Sequence, residues 1–233
     1  MDEIIEDLRI ENQYYLIDKP LTWTSFDIVR KLKNLGRFKK IGHAGTLDPL
    51  ATGLLIICVG KHTKKIEYFQ SLPKTYTGIL VLGKTTPSID LETEFNQEFP
   101  IDHISRELLL EVISTKLTGP IKQVPPIYSA IKLDGKRLYT HARQGVQDDA
   151  LNIKVRDAVI YRFEISTKNF PEIEFEIECS KGTYIRSIVR DLGEYLHAGA
   201  YLKKLVRTKI GEYDVANAQS IDSFNKETYA ILP

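Results

Sequence analysis

Short apolar runs alternate with polar punctuation along the whole chain. Tyr14-Tyr15-Leu16-Ile17-Asp18-Lys19-Pro20 predicts a short strand stopped by proline. Thr24 or Ser25 can cap the helix that follows, with Phe26, Ile28, Val29 and Leu32 as its apolar face. Leu54–Val59 is continuously apolar, which fits a buried strand and a buried helical segment equally. His62–Ser71 reads as a short helix. Lys74–Gly83 is β-branched and apolar and closes on glycine, so a strand is expected. Lys84–Phe99 is polar and reads as a loop. Ser105–Leu117 carries Leu108, Leu109, Val112, Ile113 and Leu117 at helical spacing, and Gly119-Pro120 ends it.

In the second half, prolines extend Gln123–Ala130, and Gly135–Gly145 predicts a short helix with a glycine stop. Ile153–Ile165 and Ile173–Cys179 predict strands. The latter alternates Ile173, Phe175, Ile177 and Cys179 with Glu172, Glu174, Glu176 and Glu178, the pattern of a half-exposed sheet. Lys181-Gly182 makes a turn, and Thr183 can cap a helix from Tyr184 to about Leu196 with Ile188, Val189, Leu192 and Leu196 inward. Leu202–Arg207 and Ile210–Val215 read as two strands around Gly211, and Ser220 onward as a final helix. No internal repeat, low-complexity linker or clear domain boundary interrupts the pattern.

Composition narrows this picture. The 233 residues make one large domain or two small ones, 42% apolar and 27% charged, as in a soluble globular protein. The net charge of +1 excludes a global basic footprint, so any nucleic-acid surface must be local. Arg30–Lys40 is one such basic stretch, either a solvated helix face or an anion-facing surface. Lys132, Lys136, Arg137, Tyr139, His141 and Arg143 interleave bases with aromatics, which suits RNA as well as an ordinary exposed helix. Cys58 and Cys179 read as small core residues in a reducing compartment. Met1–Glu11 has no basic or apolar targeting region, and no apolar run reaches membrane-spanning length, so the chain is expected to be cytoplasmic.

The chemistry is found largely by elimination. The five histidines are scattered, with no metal-ligand spacing; Gly42-x-x-Gly45 lacks the Lys-Ser/Thr of a phosphate loop; no nucleophile elbow occurs. What stands out is Gly42-His43-Ala44-Gly45-Thr46-Leu47-Asp48-Pro49-Leu50-Ala51-Thr52-Gly53. Pro49 holds Asp48 out of the α region on a shaped loop. By composition alone this is an ordinary turn with one suggestive carboxylate. A lone carboxylate can act as nucleophile or base if a counter-charge keeps it ionised, and Arg186 is a candidate for that role.

The same stretch resembles the catalytic motif of the TruB-type tRNA pseudouridine synthases. Asp18-Lys19-Pro20 matches the family's N-terminal motif, and Lys74-Thr75-Tyr76 the segment with its active-site tyrosine. Gln123–Ala130, Gly135–Tyr139 and Ala142–Gly145 match its RNA-gripping insertion. Lys181-Gly182-Thr183-Tyr184-Ile185-Arg186, and Leu205 followed by Arg207, match its later motifs. The resemblance implies an α+β pseudouridine synthase fold over residues 1–233, with a central, mostly antiparallel mixed sheet flanked by helices and loops. It implies an RNA-binding insertion at about 120–150 and none of the C-terminal PUA domain carried by many members.

The implied activity is isomerisation of uridine 55 in the tRNA T loop by base flipping, glycosidic cleavage and reattachment through C5, with neither cofactor nor metal. Asp48 would be the catalytic carboxylate, with Arg186 as its partner and Tyr76 stacked on the target base. Tyr184 and Leu205 would line the pocket, His43 would enter the T loop, and Lys19 would support the site. Attack on base, attack on sugar and removal of a ribose proton all remain open to Asp48. The expected partner is the T arm of tRNA, with no membrane involved and the chain a monomer. The alternatives are a non-catalytic tRNA-binding or tRNA-folding protein and a synthase guided by a separate RNA. One departure from the family pattern falls in Thr86–Thr93, where Asp90 is kept but Pro87, Ile89 and Thr93 replace the usual polar residues and glycine.

Overall fold

A computed structural model describes residues 13–129, 132–133, 136–138 and 153–224. Its strands are β1 (Tyr14–Lys19), β2 (Ile41–His43), β3 (Ala51–Val59), β4 (Lys74–Leu82), β5 (Lys84–Thr85), β6 (Gln97–Glu98) and β7 (Gly119–Gln123). They continue with β8 (Lys132–Leu133), β9 (Lys136–Arg137), β10 (Arg156–Asn169), β11 (Glu172–Cys179), β12 (Ala200–Ile210), β13 (Tyr213–Asp214) and β14 (Gln219–Ser220). The helices among the described residues are α1 (Ser25–Gly36), α2 (Ile66–Ser71), α3 (Arg106–Lys116) and α4 (Ile185–Tyr195). The class is α+β with a mixed, mostly antiparallel sheet: β1–β3, β2–β3, β7–β10, β10–β11 and β12–β13 pair antiparallel, while β1–β14 and β3–β12 pair parallel.

The chain forms two compact units, 1–77 with 205–233, and 78–204. In the first, the order is β14-β1-β3-β12-β4, using the C-terminal half of β12 and the N-terminal half of β4, with β2 on the side of β3 and β13 on that of β12. Successive residues of β1 and β3 feed opposite cores. Tyr15, Ile17, Leu55, Ile57 and Val59 pack with Ile28, Val29 and Leu32 of α1. Tyr14, Leu16, Leu54, Ile56 and Cys58 pack with Phe69 and Tyr213 on the other side. This settles the Leu54–Val59 ambiguity. The run is a strand, and it lacks alternation because both its faces are buried.

The second unit has the order β12-β4-β11-β10-β7, using the N-terminal half of β12 and the C-terminal half of β4. The Ile173–Cys179 face of β11 is buried, as its alternation predicts. Leu109, Val112 and Ile113 of α3 and Ile188, Val189 and Leu192 of α4 are buried, and the two helices pack together. Both cysteines are fully buried and neither forms a disulfide, and burial pushes the Cys58 thiol up to about 12.

Several expectations are corrected. Thr24 caps α1, and Asp27 completes a capping box, but Phe26 points to solvent, because Ile28, Val29 and Leu32 already fill the buried stripe. His62–Ser71 divides into a 3₁₀ turn, Gly60–Lys65, and α2. Gly119-Pro120 does not merely end α3; it opens β7 on the edge of its sheet, where a proline costs no ladder bond. Thr183 is not the cap of α4. Its hydroxyl donates to Ser180 O at 2.9 Å, and Tyr184 occupies the capping position without a side-chain bond. Leu202–Arg207 belongs to one long strand that runs through Ile210 and turns back at Gly211. Lys136–Arg137 is a strand, not part of a helix; Ser220, expected to open a final helix, instead ends β14 and residues 221–224 are not helical, while Tyr139–Gly145 and residues 225–233 lie outside the described residues.

Candidate active site

The Asp48 loop runs from the end of β2 to the start of β3 in the first unit, and its backbone is fastened at nearly every residue. Gly45 has φ +98°, where a side chain would be strained. Ser25, in the first turn of α1, holds Leu47 twice: its hydroxyl donates to Leu47 O at 3.2 Å and accepts from Leu47 N at 2.8 Å. Thr22 N donates to Pro49 O at 2.8 Å, and Ala51 N to Asp48 O at 3.1 Å. Asp48 is therefore held between two pinned neighbours. At Gly53, φ is +100° and a Cβ would lie 2.4 Å from Arg207 O, so only glycine lets β12 close on β3 in the register Leu205↔Ala51, Arg207↔Gly53.

Two buried cations brace this loop. Lys19 is completely buried, and its Nζ donates to Trp23 O at 2.7 Å, Pro20 O at 2.9 Å and Pro49 O at 3.4 Å. Burial pushes its pKa down to about 8; the Asp48 charge pulls it back up and the Arg207 charge pushes it further down. Arg207, 1% exposed, donates from Nε to Leu54 O at 2.8 Å and from Nη2 to Gly45 O at 3.2 Å. It thus ties the entry of the loop to the strand leaving it.

Three more of the expected residues lie in this unit. Tyr76 is largely buried on β4, which is fixed at its start by Lys74. The Lys74 ammonium donates to Gln70 O at 2.6 Å and to Leu72 O, closing the C-terminal end of α2. Leu205 is buried on β12, beside Ala51 at the end of the Asp48 loop. His43 ends β2, and burial lowers its pKa below the usual 6.5, so it is neutral at pH 7.

The second unit holds Arg186 and Tyr184. Arg186 is 4% exposed in the first turn of α4. Its Nε lies 3.7 Å from Asp90 Oδ2, Nη1 donates to Ser88 O at 3.0 Å and Nη2 to Tyr128 O at 2.7 Å. The loop that departs from the family pattern is therefore well built. Thr86 and Ser88 hydroxyls both donate to Asp90 O, and Ile89 sits at φ +64°. Tyr184 is gripped at both backbone groups by the buried Gln123 side chain, which accepts from Tyr184 N at 3.1 Å and donates to Tyr184 O at 3.2 Å. Sequence reasoning assigned no role to Arg207 or Gln123. Arg207 had a signal in its motif, but only its depth in the fold shows what it braces. Among the described residues, no group of three or more His, Cys, Asp or Glu could hold a metal ion.

The fold and site define a class. The chain superposes with TM-score 0.69 on a chain in the crystal structure of a Cbf5-Nop10-Gar1 complex, at 23% identity over 93% of this chain and 55% of that one. A structure of an H/ACA RNP bound to a substrate RNA containing 2′-deoxyuridine gives 0.68 at 21% identity, over 94% of this chain and 53% of that one. The chain spans about half the length of each of these matched chains, and at such identity the likeness concerns the fold. The sequence carries the assignment further. Residues 33–185 match the TruB family pseudouridylate synthase (N terminal domain). The tRNA pseudouridine synthase B of Flavobacterium johnsoniae is 53% identical over 93% of this chain and 96% of its own length. That of Phocaeicola vulgatus is 47% identical over 92% of each. The chain belongs to the TruB family of pseudouridylate synthases.

Proposed function

We propose that this enzyme isomerises uridine 55 in the T loop of tRNA to pseudouridine, with Asp48 as the catalytic carboxylate. The single observation that carries the assignment to Asp48 is its fixed loop, pinned at Leu47, Asp48 and Pro49 and braced by buried Lys19 and Arg207. The net reaction breaks N1–C1′ and makes C5–C1′. The proton lost from C5 is matched by one gained at N1, so no redox partner is consumed. The protein must flip the base, hold a detached uracil while it turns and keep an ionised group at the sugar–base junction. Unstacking costs on the order of a few kcal/mol. Stacking on an aromatic ring returns ~1–3 kcal/mol, a role we give to Tyr76. Leu205 supplies apolar wall, His43 offers a neutral ring for the loop RNA, and Lys19 holds the Asp48 loop. Arg186 and Tyr184 serve the same reaction, supported by the family motif in which they stand and by the care with which Ser88, Asp90, Tyr128 and Gln123 fix them.

Incubation of unmodified tRNA transcript with wild type and Asp48→Asn tests this reading. Wild type is expected to form one pseudouridine at position 55 without any added guide RNA, and Asp48→Asn to lose at least about 10³-fold in rate while still binding tRNA. Equal product from both enzymes removes Asp48 from the reaction; no product from wild type removes the activity.

A further inference from the structure

A groove of about 390 Å³ lies over the first turns of α1, lined by Thr22, Trp23, Asp27, Arg30, Lys31 and Asn34. No side chain of these residues belongs to the machinery assigned above; Thr22 and Trp23 meet it through their backbones alone. Its chemistry is mixed in a specific way. Trp23 is half-buried with its other side against the core, so it presents a fixed aromatic surface. Asn34 and Lys31 are exposed on α1, and the Arg30 side chain is 66% exposed. Asp27 is the one acid, and both its oxygens are engaged: Oδ2 accepts from Thr24 N and Oγ1, and Oδ1 pairs with Arg30 at 2.7 Å. With Asp27 balanced by Arg30, the lining carries one net positive charge from Lys31.

The groove is also joined to the Asp48 loop through the backbone. Thr22 stands at φ +70°, an outlier for a β-branched residue, and its N–H donates to Pro49 O at 2.8 Å. The Lys19 ammonium bridges Trp23 O and Pro49 O. One wall of the groove is thus a single hydrogen bond away from the residue that follows Asp48.

We infer that this groove is a second RNA subsite, which takes one unpaired nucleotide of the tRNA with its base against Trp23 and its phosphate against Arg30 and Lys31. An aromatic plane, an amide able to meet a base edge and a pair of cations make up the set that binds unpaired nucleotides. The volume falls within the range of small-ligand sites. The inference rests on the proposed function, which supplies the RNA. Its consequence is that binding energy far from the reacting base is collected beside the catalytic loop, so the groove governs capture of tRNA rather than the chemical step.

Trp23 is the only tryptophan in the chain, so its emission reports on the groove directly. Unmodified tRNA transcript is titrated into Asp48→Asn protein, and kcat and KM are measured in the Asp48 background for Trp23→Ala, Trp23→Phe and the double variant Arg30→Gln, Lys31→Gln. Lys33→Gln, on the same helix but outside the groove, is the charge control. The expected result is a saturable change in Trp23 emission, about a tenfold rise in KM for Trp23→Ala with kcat within about twofold, and recovery of most of the loss in Trp23→Phe. The double variant is expected to raise KM by more than Lys33→Gln. Unchanged emission, a loss confined to kcat, or equal effects of the double variant and Lys33→Gln would each overturn the subsite. Emission that responds to inorganic phosphate as strongly as to tRNA would reduce the groove to an anion site and overturn the nucleotide assignment. If wild type forms no pseudouridine while emission still responds to tRNA and is lost in the double variant, the subsite stands and the proposed function falls.

Discussion

Lys19 is the buried side chain through which the fold is expected to reach the rate of reaction. Its three N–H groups meet three carbonyls, so it is satisfied as an ammonium ion, yet burial brings its pKa down to about 8 from an ordinary 10.5. The folded protein therefore releases this proton at a lower pH than the unfolded chain does. Between about pH 8 and 10.5 the unfolded state binds the extra proton, and the Lys19 contribution to stability rises with pH. Activity is expected to move the opposite way. Above about pH 8 the ammonium that braces Pro49 and faces the Asp48 charge is lost, so single-turnover rates should fall along an alkaline limb centred near that value. Lys19→Met should be slow at every pH and lack the limb. A limb unchanged in Lys19→Met would assign it to another group. The sequence placed Lys19 at the end of a strand. What it did not show is that Pro20 and Trp23 turn their carbonyls back onto it, since a lysine followed by proline has the same composition in solvent.

At the scale of elements, the two site-bearing helices begin differently. α1 starts on its own capping box, legible as Thr24 and Asp27 at the right spacing. α4 starts without a side-chain cap, and Gln123 from β7 fixes Tyr184 instead. Gln123→Leu removes both side-chain hydrogen bonds to the Tyr184 backbone and leaves Tyr184 O only its helical bond from Ile188 N, at a cost of about 1–3 kcal/mol. The midpoint of urea unfolding should fall with an unchanged slope. Turnover should fall as well, because Tyr184 and Arg186 then lose their fixed origin; full turnover with lowered stability would confine Gln123 to a structural role. Local patterns revealed α1, α3, α4 and the alternating β11, because each keeps one face toward water. They could not reveal β3, which is buried on both faces, or β7, whose proline imitates a helix terminator. The Asp48 loop was marked by its glycines and proline; the cations around it were not, because depth is a property of the assembled sheet.

For the whole molecule, a net charge of +1 leaves little long-range attraction for RNA. Attraction has to come from where the charges stand. Arg30, Lys31, Lys33, Arg37, Lys39 and Lys40 are all exposed along and just beyond α1, in the unit that holds Asp48. Affinity for tRNA should therefore fall steeply with salt despite the near-neutral total. Reversing Arg37 and Lys39 to glutamate should weaken binding and reduce the slope of log K against log salt by about 2, at roughly one unit per phosphate contact. An unchanged slope would return this stretch to a solvated helix face. Taken alone, the basic stretch reads in the sequence as a solvated helix face; its position before the Asp48 loop, on the same unit, is what raises the anion-facing reading.

The burial of both cysteines also has a practical side. The chain contains two thiols in all, each fully enclosed, and that of Cys58 stays protonated until about pH 12. A thiol reacts as its thiolate and only where a reagent can reach it. A cysteine introduced at an exposed position, such as Asn34 or Lys168, would be the sole labelling site on the natural background. Dyes or spin labels could then be attached one at a time, without first removing any native residue, to follow tRNA as it arrives and leaves.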